Sequence, residues 1–360
     1  MRTPKAIHVA LLLAGAWTPA RAQPRHVPDV TTLAAGHGQL VAGTPIGTIL
    51  SRDGHAWRWA CHGGVGYEPP YQPPYAVSAR GTLFAASHDG LAISRDGGCD
   101  FQMAGGPLDK MYVDHVVVDP RGRVWAVTST NGVENGLYVS RDDGRHFART
   151  TLRSRTVWFK SILVRGREVL VSAYDAIGKG TNRLYRSTDD GTTFRELAVE
   201  LPAGARLIFL LVGGQGARAG GPVLATGFVD ERPVLLRADA TLRQWRVVLS
   251  AQELSGVAIA RDATYAIVDG ALLRATDAQH FTRTQAPVHP RCVVAQDDAL
   301  WLCADLRTDQ AIAARRRTKR WEVLGKGGLR ALTGPACETG GSVGRVCGPL
   351  WPGLRRQLGL

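Results

Sequence analysis

Short apolar runs rich in Val, Ile, Leu and Tyr recur along the chain, each closed by a turn of Gly, Asp or Pro. Tyr75 to Ala79 and Thr82 to Ala86 flank Arg80-Gly81, and Leu91 to Ser94 follows the turn His88-Asp89-Gly90. His115 to Val118, Val124 to Thr128 and Leu137 to Ser140 repeat this arrangement. Arg291 to Ala295, Ala299 to Ala304 and Gln310 to Ala314 do so again near the end. Strand-forming residues with such punctuation predict an all-β chain. No long segment carries the periodicity of an amphipathic helix.

One turn punctuates these runs. It reads Ser-x-Asp-x-Gly-x-x-aromatic at Ser94, Asp96, Gly98, Phe101, at Ser140, Asp142, Gly144, Phe147, and at Ser187, Asp189, Gly191, Phe194. Ser51, Asp53 and Trp57 form a copy one residue short, and weaker copies end at Trp245, Phe281 and Trp321. The seven closing aromatics are 44, 46, 47, 51, 36 and 40 residues apart. A period near forty to fifty residues, with four short strands per period, predicts a propeller blade. Seven periods predict a seven-bladed β-propeller of four-stranded antiparallel blades, a ring with only short edges. In the turn itself, Asp accepts backbone N–H groups and Gly supplies a positive φ. These residues are therefore read as structural staples.

The predicted blades run over residues 31–61, 74–104, 112–150, 155–199, 207–250, 254–287 and 289–327, with a tail at 328–360. Either the segment before Thr31 or this tail is expected to supply a strand to a terminal blade. Leu350-Trp351-Pro352 and the stretch to Leu358 are expected to add a short helical cap. Residues 23–360 are expected to form one domain. Gly213-Gly214-Gln215-Gly216 has phosphate-loop spelling, but no helix follows, so it reads as a long hairpin loop.

Residues 1–22 read as a secretory signal peptide. Arg2 and Lys5 precede the apolar stretch Ala6 to Trp17, and Ala20-Arg21-Ala22 is a cleavage site. The expectation is a secreted or periplasmic chain with no membrane span. Export makes disulfides the expected state of the six Cys. Six Cys allow 15 pairings. Spacing favours Cys292 with Cys303 and Cys337 with Cys347, leaving Cys61 with Cys99. No metal site and no cofactor are expected.

The net charge is +13, and six of the 44 basic residues are Lys. A basic surface favours anionic partners. The charges are scattered apart from Arg315-Arg316-Arg317-Thr318-Lys319-Arg320, which reads as a solvated hairpin tip.

The repeated turn resembles the Asp-box, or bacterial neuraminidase repeat, of sialidases, sortilin-type receptors and photosystem II assembly-factor-like propellers. The resemblance covers most of residues 31–327 and implies a scaffold with its boxes on the blade periphery. A sialidase would need an Arg triad, a Tyr–Glu pair and an Asp acid. The family's early Arg-Ile-Pro motif is absent, and Arg25-His26-Val27-Pro28 has a different spacing. No paired catalytic group is evident.

Binding on a propeller falls on loops at one face of a rigid ring. The segment from His62 to Tyr75 carries Tyr67, Glu68, Tyr71 and Tyr75 with four Pro and is expected to form a stiff aromatic surface. Tyr112, Asp114, Glu134, Arg155, Trp158, Tyr174 and Asp175 lie on loops expected at the same mouth. The reading is an exported, non-catalytic, monomeric propeller that binds a glycan or an envelope protein, with no nucleic acid as partner. The alternative is a sialidase-like glycoside hydrolase.

Overall fold

The structure is a computed structural model and describes residues 30–176, 180–212, 221–296, 298–337 and 340–360. The expected signal segment at 1–22 and the glycine-rich stretch at 213–216 lie outside the described residues, as does 177–179.

Seven antiparallel meanders form a seven-bladed propeller. The first strands are Thr32–Gly36, Tyr75–Val77, Val113–Val118, Val157–Arg165, Ala205–Val212, Leu254–Ile259 and Pro290–Gln296. In chain order these open blades I to VII, and first-strand side chains of blades III to VII line the central bore. The second and third strands are the most apolar because each blade is packed on both faces. In blade II, Leu83–Ser87 and Gly90–Ser94 are buried along their whole length. That is why their sequence reads as unbroken apolar runs rather than as alternation.

The Ser-x-Asp turns close the third strand onto the fourth. In blade III, Ser140 Oγ donates to Asp142 Oδ1 at 2.8 Å and accepts Gly144 N–H at 2.8 Å. Asp142 Oδ1 also accepts His146 N–H at 2.9 Å. Blades I, II and IV repeat the pattern around Asp53, Asp96 and Asp189. The degenerate turns at Asp239 and Asp277 keep the backbone bonds to the carboxylate. Backbone N–H groups, led by those of His55 and His280, hold the Asp53 and Asp277 carboxyls below the usual carboxylate range. Of the closing aromatics, Trp57, Phe101 and Trp245 are buried. Phe147, Phe194, Phe281 and Trp321 are only partly covered.

The glycine of each turn has a second task. A Cβ on Gly144 would lie 2.6 Å from the Phe84 ring of blade II, and one on Gly191 2.6 Å from Trp125 of blade III. Gly98 meets Leu50 of blade I in the same way. Each staple thus presses against the preceding blade as well as closing its own. At the seam, Gly54 of blade I packs on Leu324 of blade VII and accepts a hydrogen bond from Gly325 N–H at 3.1 Å. Ala35 N–H reaches Gln296 Oε1 across the same seam at 3.2 Å.

All seven blades own four strands, so ring closure does not rest on a borrowed one. The tail adds Leu332–Pro335 as a fifth strand, parallel to Trp57–Ala60 on the outer edge of blade I. It continues into α2 (Gly341–Cys347) and α3 (Trp351–Leu358). Trp351 packs against Trp59, ring centroids 5.9 Å apart.

This path corrects two of the three expected cysteine pairings. The disulfides are Cys61–Cys347, Cys99–Cys337 and Cys292–Cys303. Only the last, which joins paired positions of adjacent strands, follows sequence proximity. The tail returns over the outer rim of blades I and II, so cysteines 286 and 238 residues apart meet there. Ser342 fixes the crossing: its N–H donates to Asp100 Oδ1 at 2.8 Å and its Oγ accepts Phe101 N–H at 2.9 Å. The basic run is also revised. Arg315 and Arg316 belong to the strand Ala313–Arg316, leaving 317–320 as the hairpin tip.

Candidate functional site

First-to-second turns and the Ser-x-Asp turns share one face of the ring, here the lower face. The first strands begin at the upper face, beside the second-to-third turns and the connections between blades. The first strands of blades III, IV, VI and VII each carry a β-bulge or register shift close to that upper end. In blade III, Val127 pairs with His115 and Thr128 with Val113, so Asp114 is the unpaired residue. In blade IV, the register skips Lys160 between Phe159 and Ser161. An extra residue in a strand re-aims its side chain, and such bulges are common beside functional sites. Blades VI and VII skip Ser255 and Arg291 at the corresponding place.

The bulged residues of blades III and IV meet. Lys160 Nζ lies 2.5 Å from Asp114 Oδ1, with side chains 14% and 9% exposed. Ser129 Oγ donates to Asp114 Oδ2. The ammonium sits 5.6 Å from the Tyr112 ring centroid and 5.7 Å from that of Tyr174, within cation–π range. Aromatic rings continue outward on both sides. His88 stacks on Tyr112 at 4.1 Å and meets Tyr71 at 4.3 Å. Trp158 meets Tyr174 edge-on at 5.4 Å. The Trp158 indole N–H is out of solvent and has no acceptor among the described residues.

Burial, reinforced by the Asp114 charge, pushes the Tyr112 hydroxyl up to about 12 and raises Tyr174. Burial, with Tyr112 and Asp114 nearby, raises Tyr71 as well. These phenols therefore stay protonated at neutral pH and can donate hydrogen bonds. The cluster offers flat rings, donors, one carboxylate and one ammonium.

Tyr71, Tyr112, Asp114, Trp158 and Tyr174 thus come together on blades II to IV. The other sequence candidates do not join them. Tyr67 is a correction: it is only 3% exposed, and its hydroxyl shares a hydrogen bond with Thr48 at 3.2 Å. The chain preceding it forms α1 (His62–Val65), tied through Cys61 to α2, and this turns the ring into blade I. Tyr75 also directs its hydroxyl to Thr48, at 2.7 Å. Glu68 is exposed, as is Arg155. Glu134 pairs with Arg149 on the blade III rim. Asp175 pairs with Arg183 at 2.6 Å. Sequence reasoning missed Lys160 and His88. The signal for Lys160 was a polar residue entering an otherwise aliphatic first strand, as in Phe159-Lys160-Ser161-Ile162 beside Val113-Asp114-His115-Val116.

His115 lies just below the cluster on the bore wall. Its Nδ1 accepts the Ile162 N–H of the next blade at 3.2 Å, which places the proton of the neutral ring on Nε2. Burial lowers its pKa from 6.5 to about 4. The unfolded chain therefore binds this proton first as pH falls. Stability should drop between about pH 6.5 and 4, by up to about 3 kcal/mol from this residue. Urea unfolding of wild type against His115→Gln should show a steeper acid loss in the wild type.

No protein-family model matches the chain, and no curated protein matches it. Solved structures match its fold. The type-IX secretion component PorZ of Porphyromonas gingivalis superposes with a TM-score of 0.52 at 11% identity, over 83% of this chain and 38% of PorZ. YCF48 from Cyanidioschyzon merolae gives 0.51 at 13% identity, over 76% and 92%. The chain thus spans well under half of PorZ. At these identities the likeness is one of β-propeller architecture.

Proposed function

We propose that the chain is an exported, non-catalytic Asp-box propeller that binds a glycan through the upper face of blades II to IV. One observation carries this reading: two bulges in neighbouring first strands bring Lys160 and Asp114 together among Tyr71, Tyr112, Trp158 and Tyr174. Rings held by a rigid scaffold stack on sugar faces at little entropic cost. Asp114 and Lys160 supply the directional bonds that hydroxyl groups require. The leader-like sequence expected at 1–22 and the three disulfides support an oxidising destination. The staple geometry supports the Asp-box assignment.

A glycan array followed by calorimetry on the best hit tests the reading. Tyr112→Ala and Trp158→Ala should each weaken binding at least about fivefold, since losing a stacked ring costs on the order of 1–3 kcal/mol, while the unfolding midpoint stays near wild type. Binding that survives both substitutions would refute the site. Turnover of fluorogenic glycosides, abolished by Asp114→Asn, would favour the sialidase-like alternative. Capture of an envelope protein, with no glycan hit, would favour the protein partner.

A further inference from the structure

The lower face presents different chemistry. There the bore opens into a funnel of about 990 Å³ between the first-to-second turns of blades I, II, III, VI and VII and the hairpin tip of blade VII. The bore behind it, about 240 Å³, is walled by first-strand aliphatic side chains, among them Val117, Val164, Val257 and Val293. Val118, Ile259 and Ala295 belong to both spaces, so the funnel leads directly into the bore. Among the described residues, the side chains lining the bore are aliphatic apart from His115 at its far end and Asp119 and Pro120 at the funnel end.

The funnel rim is cationic on one side only. Six Ser-x-Asp-type turns carry an Asp clamp; in the seventh, the equivalent position holds Arg316, followed by Arg317, Thr318 and Lys319. Arg316 is engaged, with Nη2 3.2 Å from Asp262 Oδ2 and its guanidinium 5.0 Å from the Tyr265 ring centroid. Arg261 pairs with Asp298 at 2.7 Å, both side chains well exposed. Arg317 and Lys319 are exposed at the tip and line the funnel. Asp119, the remaining carboxylate among the described residues that line the funnel, is spent on Arg123 at 2.6 Å.

We infer that funnel and bore together bind a single-tailed anionic amphiphile. Its headgroup would lie against Arg317 and Lys319, with Arg261 in reach, and its unbranched aliphatic tail would enter the bore. A polyanion would satisfy the rim and leave the bore unused. A neutral hydrocarbon would use the bore and ignore the rim. Only an amphiphile matches both, and the narrow bore admits one tail. The inference rests on a face and on residues separate from the glycan reading above.

Calorimetry with unbranched carboxylates of increasing length, each below its micelle concentration, tests it on the mature chain. Each added methylene should tighten Kd about fourfold until the bore is filled. The matching alcohols should bind at least about tenfold more weakly. Alkyl phosphates run in parallel distinguish a free fatty acid from a phosphate-headed lipid as the source. The surface double variant Arg317→Glu/Lys319→Glu should lose at least about tenfold for the carboxylates and leave the alcohols unchanged. Ala295→Trp, which narrows the bore entrance, should abolish the dependence on chain length, with unfolding midpoints confirming that both variants fold. Affinity independent of tail length, or equal for acid and alcohol, would overturn the inference. So would a polyanionic glycan that binds the rim equally well in wild type and Ala295→Trp.

Discussion

Replacing Cys61 and Cys347 by Ala is expected to lower the unfolding free energy by about 5 kcal/mol, and replacing Cys99 and Cys337 by somewhat less. Cross-linking residues 286 apart removes a large share of the freedom of the unfolded chain. The second bridge spans 238 residues inside the first, so it closes a smaller remaining loop. By the same relation, Cys292–Cys303, only 11 residues apart, should contribute about 3 kcal/mol at most. Urea unfolding of the three paired Cys→Ala variants checks the order. The two long bridges do more than stabilise locally. They bind the tail strand and α2 to blades I and II, close to the seam where the ring closes. Loss of either should therefore also raise hydrogen exchange in Leu332–Pro335 and in Trp57–Ala60, its parallel partner. A Cys292–Cys303 effect as large as that of Cys61–Cys347 would refute this account.

The second large effect is expected at Asp119, in the first-to-second turn of blade III. This carboxylate accepts the backbone N–H groups of Arg121 and Arg123 at 2.9 and 3.0 Å. It also takes the Arg123 Nε at 2.6 Å and the Trp125 indole N–H at 3.0 Å. Arg123 is 6% exposed and Trp125 fully buried. Truncating one partner of such a pair leaves a buried charge poorly compensated, here by Asp190 at 3.3 Å, at a cost of up to about 3–5 kcal/mol. Asp119→Ala should therefore destabilise by up to that amount. The double variant Asp119→Ala/Arg123→Met should recover part of the loss, because the orphaned guanidinium is gone. Arg123 Nη2 also reaches Asp190 of blade IV at 3.3 Å, so the variant should loosen the III–IV contact. Chemical denaturation of the single and double variants decides the matter. A double variant no more stable than Asp119→Ala would show that the cost lies in the turn itself.

The architecture was legible because its signals are local. A Ser, an Asp and a Gly within five residues make their bonds to one another, so Ser140, Asp142 and Gly144 announce their turn without any distant contact. The same locality hid the rest. Cys61 and Cys99 read as neighbours because they lie in consecutive repeats, yet each is bonded to the tail. Tyr67 and Tyr71 share a Pro-rich stretch and look equivalent, yet one fills the core of blade I and the other joins the upper-face cluster. Lys160 is a single polar residue in an aliphatic strand, and only its displacement from the pairing register aims it at Asp114.

The amino-acid order alone determined the unit and its number: a β-meander repeated seven times, closed in six copies by an Asp-clamped turn, each copy with strands apolar enough to be covered on both faces. Those properties follow from interactions within a few residues. The three-dimensional arrangement decided everything that depends on how separate units face one another: which cysteines meet at the seam, which tyrosine turns inward, and which two bulged side chains form a pair. These depend on distances between segments far apart along the chain, and those distances exist only once the ring has closed.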